Sequence, residues 1–166
     1  MCALPVLVEA TSGSSFTPGL LPEPAESWAG HPLLTGCAVG EGYVVDSLAP
    51  DGEPADALVL MEEPALPGRV VPARPVALLR VAVDGERSEV LVCVQADSTV
   101  FESVSDVRDL LSWHADERAL SQVLARFGSS HAWQVLGWQE RQAAEKYAYR
   151  ARHDFEESLE GPGPPG

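Results

Sequence analysis

The stretch that decides the fold runs from residue 42 to residue 58 and reads Gly42-Tyr43-Val44-Val45-Asp46-Ser47-Leu48-Ala49-Pro50-Asp51-Gly52-Glu53-Pro54-Ala55-Asp56-Ala57-Leu58. Its central turn carries three acids, Asp51, Glu53 and Asp56, and apolar runs flank the turn on both sides. Carboxylates at this density on a rigid loop between strands supply the oxygen ligands that hard divalent cations prefer. The stretch predicts either a metal site at these three acids or a solvated turn whose acids accept backbone hydrogen bonds.

Length and composition indicate one globular domain. The chain has 166 residues, of which 45% are hydrophobic, and no apolar run approaches the roughly 20 residues of a membrane span. The first residues lack the basic region of a secretory signal. Three cysteines at wide spacing form neither a disulfide framework nor a zinc motif. We therefore predict a cytoplasmic protein.

The charge distribution limits the possible partners. The net charge is -14, and residues 1–68 contain ten acids but no Lys or Arg. Nucleic acids and anionic membranes are polyanions, so we expect neither as a partner. A small-molecule ligand is the remaining expectation.

Short strands joined by Gly- and Pro-rich turns indicate an α+β, mainly β fold with a small closed barrel. The predicted strands cover residues 3–10, 37–48, 57–60, 69–83 and 89–94, the last two joined by a hairpin turn at Asp84-Gly85-Glu86-Arg87. Pro72 and Pro75 divide residues 69–83 into one or two strands. The barrel domain is predicted over residues 1–158.

Three segments surround the predicted barrel. Residues 11–34 are rich in Pro, Gly and Ser and form a long loop, either an ordered apolar cover or a mobile segment. Apolar residues at helical spacing predict a first C-terminal helix from Val107 onwards and a second over residues 139–158. Residues 159–166 have the composition of a disordered tail.

Five pieces of the sequence together resemble the soluble inorganic pyrophosphatases of the first family. They are V-L-V-E at residues 6–9, the acidic stretch at 42–58, L-P-G-R-V-V-P-A-R-P-V-A-L-L-R-V at 66–81, S-V-S-D-V-R-D-L at 103–110, and V-L-G-W at 135–138. The resemblance implies a five-stranded barrel of oligonucleotide-binding type flanked by two helices. It also implies a homo-oligomer, a hexamer or smaller, and Mg²⁺ ions that activate water for attack on phosphorus.

The resemblance assigns some of the family's metal ligands to this chain. The three carboxylates of the signature fall on Asp51, Glu53 and Asp56, and the glutamate of the first strand falls on Glu9. Glu41 can face the same cavity, where crowded carboxylates acquire raised pKa values and one becomes a general acid, or it can point outwards.

Other positions of the family pattern carry different residues. Two tyrosines fall on Cys37 and Glu41, two aspartates on Val83 and Ser88, a lysine on Val90, and a Tyr-Lys pair on Phe127-Gly128. A lysine and a glutamate fall near Pro18 and Leu20, and an arginine near Ala29. Removing one charge-stabilising group typically costs about 10²–10³ in rate, so these replacements predict that efficient pyrophosphate hydrolysis is lost.

The leading sequence-based hypothesis is therefore a repurposed enzyme that binds a largely apolar organic molecule and catalyses an acid/base-assisted cyclisation or isomerisation in secondary metabolism. Its catalytic groups would be Asp51, Glu53, Asp56, Glu41 and Glu9, and it would require no cofactor, although Mg²⁺ could still bind. The predicted substrate contacts are Tyr43, Cys37, Val83, Ser88, Val90, Phe127, Trp28 and His31.

Two alternatives remain. One is a residual Mg²⁺-dependent inorganic diphosphatase in which Arg80, Arg74 or Arg69 replaces the missing cations. The other is a non-catalytic interaction subunit. Phosphate release from pyrophosphate distinguishes the first alternative from the leading hypothesis.

Overall fold

The computed structural model describes residues 3–13, 37–112, 118 and 133–160. Within these ranges the elements are β1 (Leu4–Gly13), β2 (Ala38–Val44), β3 (Asp56–Met61), β4 (Arg69–Val83), β5 (Glu86–Gln95), α1 (Val107–Ser112), β6 (Trp133–Gln139) and α2 (Arg141–Glu160). The predicted mainly β architecture with two helices in the C-terminal part is confirmed.

The strand pairings close a ring of five strands. The order β1-β2-β3-β5-β4 returns to its start because β4 also pairs with β1. All of these pairings are antiparallel except β3 with β5, which is parallel. The sixth strand, β6, adds to β4 outside the ring. Where the ring is closed, every strand has a hydrogen-bonded neighbour on both sides. No backbone N–H and C=O groups are then left unpaired at a sheet edge.

One strand boundary differs from the sequence-based prediction, and the choice between one and two strands over residues 69–83 is decided. Strand β1 continues to Gly13 because residues 10–13 pair with β2, so the predicted loop begins later, and its remainder lies outside the described residues. Strand β4 runs unbroken through both prolines. Pro75 is tolerated because a bulge interrupts the register between Pro75 and Ala77, where a missing N–H costs no ladder bond.

The C-terminal part differs as well. Strand β6 was not predicted, and α2 begins after it at Arg141 and ends at Glu160. Two residues assigned to the tail are therefore helical, while 161–166 lie outside the described part. The predicted hairpin turn is confirmed, since Asp84 and Gly85 have φ values of 52° and 85°, the two positive angles of a type I′ turn. No helix in the described ranges is both long and apolar enough to cross a membrane.

The apolar residues form two clusters on opposite faces of the strands. The inner cluster draws on all five ring strands, for example through Val6, Val44, Val59, Ala73 and Leu91. Because strand side chains alternate between faces, this cluster fills the ring. Helix α2 packs against it through residues at helical spacing, Ala144, Ala148 and Ala151.

The outer cluster draws on β2 to β5 but not on β1. It includes Leu60, Leu79 and Val92, and it is covered by Phe101 from the segment that leads into α1 and by Leu110 of α1. The Arg74 guanidinium fixes this segment by donating to the carbonyl oxygens of Val104 and Phe101 at 2.6 and 2.9 Å.

Asp106 joins the starts of the two helices. Its Oδ1 accepts hydrogen bonds from the backbone N–H groups of Val107, at 2.7 Å, and of Arg141, at 3.0 Å. Helix N-termini have backbone donors without partners inside the helix, and a carboxylate satisfies them well. One side chain thereby sets the position of α2 relative to α1.

Candidate functional site

The acidic turn between β2 and β3 is held by its own backbone and by a buried serine. Ser47, only 2% exposed, donates from Oγ to the Val44 carbonyl and accepts from the Ala55 N–H. Asp51 Oδ1 accepts from the Glu53 N–H at 3.0 Å. The turn therefore holds Asp51 in a fixed position at the surface.

Strand register places two further acids beside this turn. Asp56 pairs with Tyr43 in the β2–β3 ladder, and Glu41 lies two residues before Tyr43 on the same face. In the β1–β2 ladder the register shifts between Val8 and Ala10, so Glu9 is the extra residue of a bulge next to Glu41. Such bulges redirect a side chain.

Gly42 lets β1 approach β2 closely at this bulge. A Cβ atom at residue 42 would lie 1.7 Å from the carbonyl oxygen of Leu7. Any side chain here would push the two strands apart and displace Glu9 from Glu41. The glycine is therefore required by contact with the neighbouring backbone.

An open recess of about 230 Å³ collects residues from three parts of the chain. Its lining residues are Ala49, Pro50, Asp51 and Asp56 from the acidic turn, Arg87, Ser88 and Glu89 from β5, and Tyr147 from α2. We call it the acidic recess. Helix α2 is fixed to the turn by a hydrogen bond of 2.8 Å from the Leu48 N–H to the Ala151 carbonyl.

Two carboxyl groups in and beside the acidic recess, those of Asp56 and Glu41, have a raised pKa. Partial desolvation raises the pKa of Asp56 to about 6, and the negative charges of Asp51, Glu9 and Glu53 contribute further. The pKa of Glu41 is also raised, first by burial and then by Glu9 and Asp56. Like charges that face each other without a cation favour protonation.

Tyr147 forms a wall of the acidic recess. Burial raises the pKa of its hydroxyl group to about 12, with the charges of Glu89, Asp56 and Asp51 adding to the effect. The hydroxyl group therefore stays protonated at neutral pH and can act as a hydrogen-bond donor.

Of the five predicted catalytic acids, some line the acidic recess and others lie around it. Asp51 and Asp56 line the acidic recess, whereas Glu53, Glu9 and Glu41 surround it closely enough to affect pKa values. In the part of the chain that the structure describes, no three His, Cys, Asp or Glu side chains converge on one position for a metal ion.

The predicted substrate contacts are mostly elsewhere. Ser88 lines the acidic recess, but Val90 is 3% exposed and belongs to the outer cluster. Val83 and Cys37 pack against that cluster, and Tyr43 is half-buried beside Asp56. These apolar side chains stabilise the sheet, and they do not line the acidic recess. Phe127, Trp28 and His31 lie outside the described residues.

Sequence reasoning missed three lining residues, Arg87, Glu89 and Tyr147. Arg87 was read only as part of the hairpin turn. Tyr147 could have been noticed because it lies next to Ala148 and one turn from Ala144 and Ala151, the buried face of α2. A polar aromatic residue beside a stripe of alanines often has its hydroxyl group at a site.

Fold and site together define a class of protein: a closed five-stranded β-barrel with an open acidic recess that a C-terminal helix borders on one side. The family model for inorganic pyrophosphatase matches residues 35–156. The chain belongs to the inorganic pyrophosphatase family.

Relatives and solved structures agree with this assignment. An inorganic pyrophosphatase of Halobacterium salinarum is 33% identical over 119 residues, which cover 71% of this chain and 67% of the relative. One from Synechocystis is 32% identical, with 60% of this chain and 59% of the relative covered. The chain thus spans well under two thirds of the latter's length.

The fold match is more extensive. The inorganic pyrophosphatase structure from Helicobacter pylori superposes with a TM-score of 0.66 at 24% identity and covers 93% of this chain and 94% of that one. The Thermus thermophilus structure gives 0.65 at 20% identity, with 92% and 90% covered.

These matches correct two sequence-based predictions. The repurposed cyclase or isomerase for an apolar organic substrate is wrong, because the matching relatives are named inorganic pyrophosphatases and the recess is lined mainly by polar residues. The expectation that no cofactor is required depended on that hypothesis and is wrong with it. The replacement of the family's cationic residues does not leave this region without a cation, because Arg87 from β5 lines the acidic recess.

Proposed function

We propose that the protein is a metal-dependent inorganic diphosphatase. The observation that carries this proposal is the joint presence of Asp51, Asp56 and Ser88 in the acidic recess of a chain that belongs to the inorganic pyrophosphatase family. The net reaction adds one water to pyrophosphate: the water oxygen forms a bond to one phosphorus, the bridging P–O bond breaks, and the two protons of the water end on the phosphate products, one on each.

The donor set fits a hard divalent cation such as Mg²⁺. Asp51 and Asp56 offer carboxylate oxygens. The pKa of Asp56 is raised by partial desolvation and then by the neighbouring negative charges, and a bound cation would favour its ionised form. Mg²⁺ typically keeps several waters and binds one or two carboxylates together with substrate phosphate, so it needs no cage of three protein ligands. When bound, the metal supplies a water of lowered pKa and neutralises phosphate charge.

The chain's own groups bind and orient the phosphates. Ser88 can donate its hydroxyl hydrogen to a phosphate oxygen, and the protonated Tyr147 hydroxyl group provides a second donor on the helix side. Glu9, Glu41 and Glu53 keep the region strongly negative and so favour cation binding.

The direct test is phosphate release from pyrophosphate by the purified chain with Mg²⁺ or Mn²⁺. We expect turnover above about 1 s⁻¹, the low end of typical enzyme rates, and complete loss in EDTA. Asp51→Asn and Asp56→Asn should each lose at least about 100-fold, the effect of removing one preorganised charge-stabilising group.

Asp97→Asn is the matched control, because Asp97 is an exposed acid that does not line the acidic recess. It should keep full activity. A wild-type chain that folds, binds Mg²⁺ and releases no phosphate would refute the proposal and support the non-catalytic subunit instead.

We infer that the substrate is a small inorganic molecule, with neither nucleic acid nor membrane as a partner. Homo-oligomerisation and a cytoplasmic location remain predictions from the resemblance and the composition. Sedimentation velocity measures the oligomeric state directly.

A further inference from the structure

A second open recess adjoins the acidic recess. It has a volume of about 360 Å³ and is lined by Arg80, Val81, Arg87, Ser88, Glu89 and Leu136. Residues 87–89 line both recesses. We call this second space the arginine recess. A ligand that fills the acidic recess can therefore extend past the three shared residues into the arginine recess.

Strand register brings the two arginines to the same face of the sheet. Arg80 pairs with Glu89 and Ala82 pairs with Arg87 in the β4–β5 ladder. Arg80 and Arg87 are therefore diagonal neighbours, which lie about 7–8 Å apart at the backbone and within reach of each other's long side chains. Both side chains are exposed.

The two guanidinium groups do not stabilise the described part of the fold through ion pairs. In the described ranges, no ion pair joins either of them to a carboxylate, although Glu89 is directly opposite Arg80. Arg74, by contrast, donates to two backbone carbonyls, and Arg141 pairs with Glu145. Two guanidinium groups held side by side, neither in an ion pair with the nearby Glu89, indicate a position for an anion.

The neighbouring acids explain why such a position is needed. Asp51 and Asp56 repel an anionic ligand unless a cation separates them from it. An arginine at the boundary between the recesses can bind the part of the anion that lies away from those acids. The planar guanidinium group presents parallel N–H donors that match phosphate oxygens.

We propose that Arg80 and Arg87 form an anion subsite that binds the phosphoryl group of pyrophosphate lying farther from Asp51 and Asp56. The proposal rests on the proposed diphosphatase function for the identity of the anion. Arg87 contributes from the shared boundary and Arg80 from within the arginine recess. Both act as binding and positioning residues.

The test measures binding of inorganic phosphate by isothermal titration calorimetry in EDTA, so that no metal contributes. We expect binding by the wild-type chain, and Arg87→Gln and Arg80→Gln should each weaken it by about 10-fold or more, as expected for loss of a charged hydrogen-bonding partner. Arg87→Lys keeps the charge but not the paired donors, so it should lie between wild type and Arg87→Gln.

Arg150→Gln is the matched control, since Arg150 is exposed on α2 and lines neither recess. It should bind phosphate as the wild type does. Thermal melts establish that each variant is folded. Absence of phosphate binding by the wild type, or equal binding by the Arg80→Gln/Arg87→Gln double variant, would overturn the subsite.

Activity separates the subsite from the diphosphatase proposal. Arginine-dependent phosphate binding without pyrophosphate hydrolysis would support the subsite and refute the diphosphatase. Hydrolysis with an unchanged KM in the double variant would support the diphosphatase and refute the subsite. If both are correct, the double variant raises KM for pyrophosphate by about 10-fold or more.

Discussion

At the scale of single residues, Asp56 shows that the acidic recess lowers the stability of the folded chain. Its pKa in the folded chain is about 6, above the ordinary value of 3.8. The folded state therefore binds more protons than the unfolded state between these values, and this group lowers stability as pH rises through that window. Active sites commonly hold such unfavourable arrangements.

Replacing Asp56 by Asn should stabilise the metal-free protein at pH 8 and leave it unchanged near pH 3, where the carboxyl group is protonated in both states. We expect a rise in Tm of about 2 °C, because solvent screens an exposed carboxylate and leaves under about 1 kcal/mol. Differential scanning calorimetry in EDTA measures the change. Asp97→Asn should show none, and a lower Tm for Asp56→Asn at pH 8 would contradict the prediction.

At the scale of elements, the contact between β1 and β2 depends on one missing side chain. Gly42→Ala places a Cβ atom 1.7 Å from the Leu7 carbonyl oxygen. Because backbone cannot move aside as a side chain can, we expect destabilisation of about 3 kcal/mol. Urea denaturation measures it. Gly137→Ala is the control, since no atom lies within 4 Å of its Cβ position, and it should change stability by under about 0.5 kcal/mol.

The junction of the two helices depends on one carboxylate. Asp106→Ala removes the acceptor for the N–H groups of Val107 and Arg141 and should cost about 1–2 kcal/mol. Asp106→Asn keeps a side-chain oxygen and should cost less than half as much. Equal losses in urea denaturation for the two variants would show that the charge, and not the cap, matters.

Residues close together in the sequence predicted most of the helices, strands and turns. Which residues line the acidic recess depends instead on pairing and packing between distant segments. The conformations of the Asp84-Gly85 turn and the acidic turn are determined by residues adjacent in the sequence, so both turns could be predicted from the sequence. Strand β6 was missed because residues 133–139 become a strand only by pairing with β4, with a register shift next to Arg80. Arg87 and Tyr147 reach the acidic recess through strand register and helix packing, which neither spacing nor composition reveals.

At the scale of the whole molecule, the fold combines charges that the sequence keeps apart. Residues 1–68 contain ten acids and no Lys or Arg, while Arg80 and Arg87 come from the later β4–β5 hairpin. The ring places that hairpin beside the acidic turn. The net charge of -14 is thus unevenly arranged, with Arg87 at the boundary between the two recesses and Arg80 within the arginine recess.

Divalent cations should therefore stabilise the protein more than salt alone. At about ten times its Kd, Mg²⁺ contributes about 1.4 kcal/mol, equivalent to about 4 °C in Tm. NaCl at matched ionic strength only screens charge and should give a smaller rise. The Asp51→Asn/Asp56→Asn double variant should respond equally to both salts. An equal response of the wild type would argue against a specific cation site.

The hydrogen bond from Leu48 to Ala151 has a consequence for the order of events during translation. All five ring strands are synthesised by Gln95, so the acids of the turn leave the ribosome long before α2 does. Domains fold largely in the direction of synthesis. Until α2 is synthesised, the acidic turn lacks both Tyr147 and the hydrogen bond to Ala151. We therefore expect the acidic recess to gain its Tyr147 wall only after α2 has been synthesised and has packed against the turn.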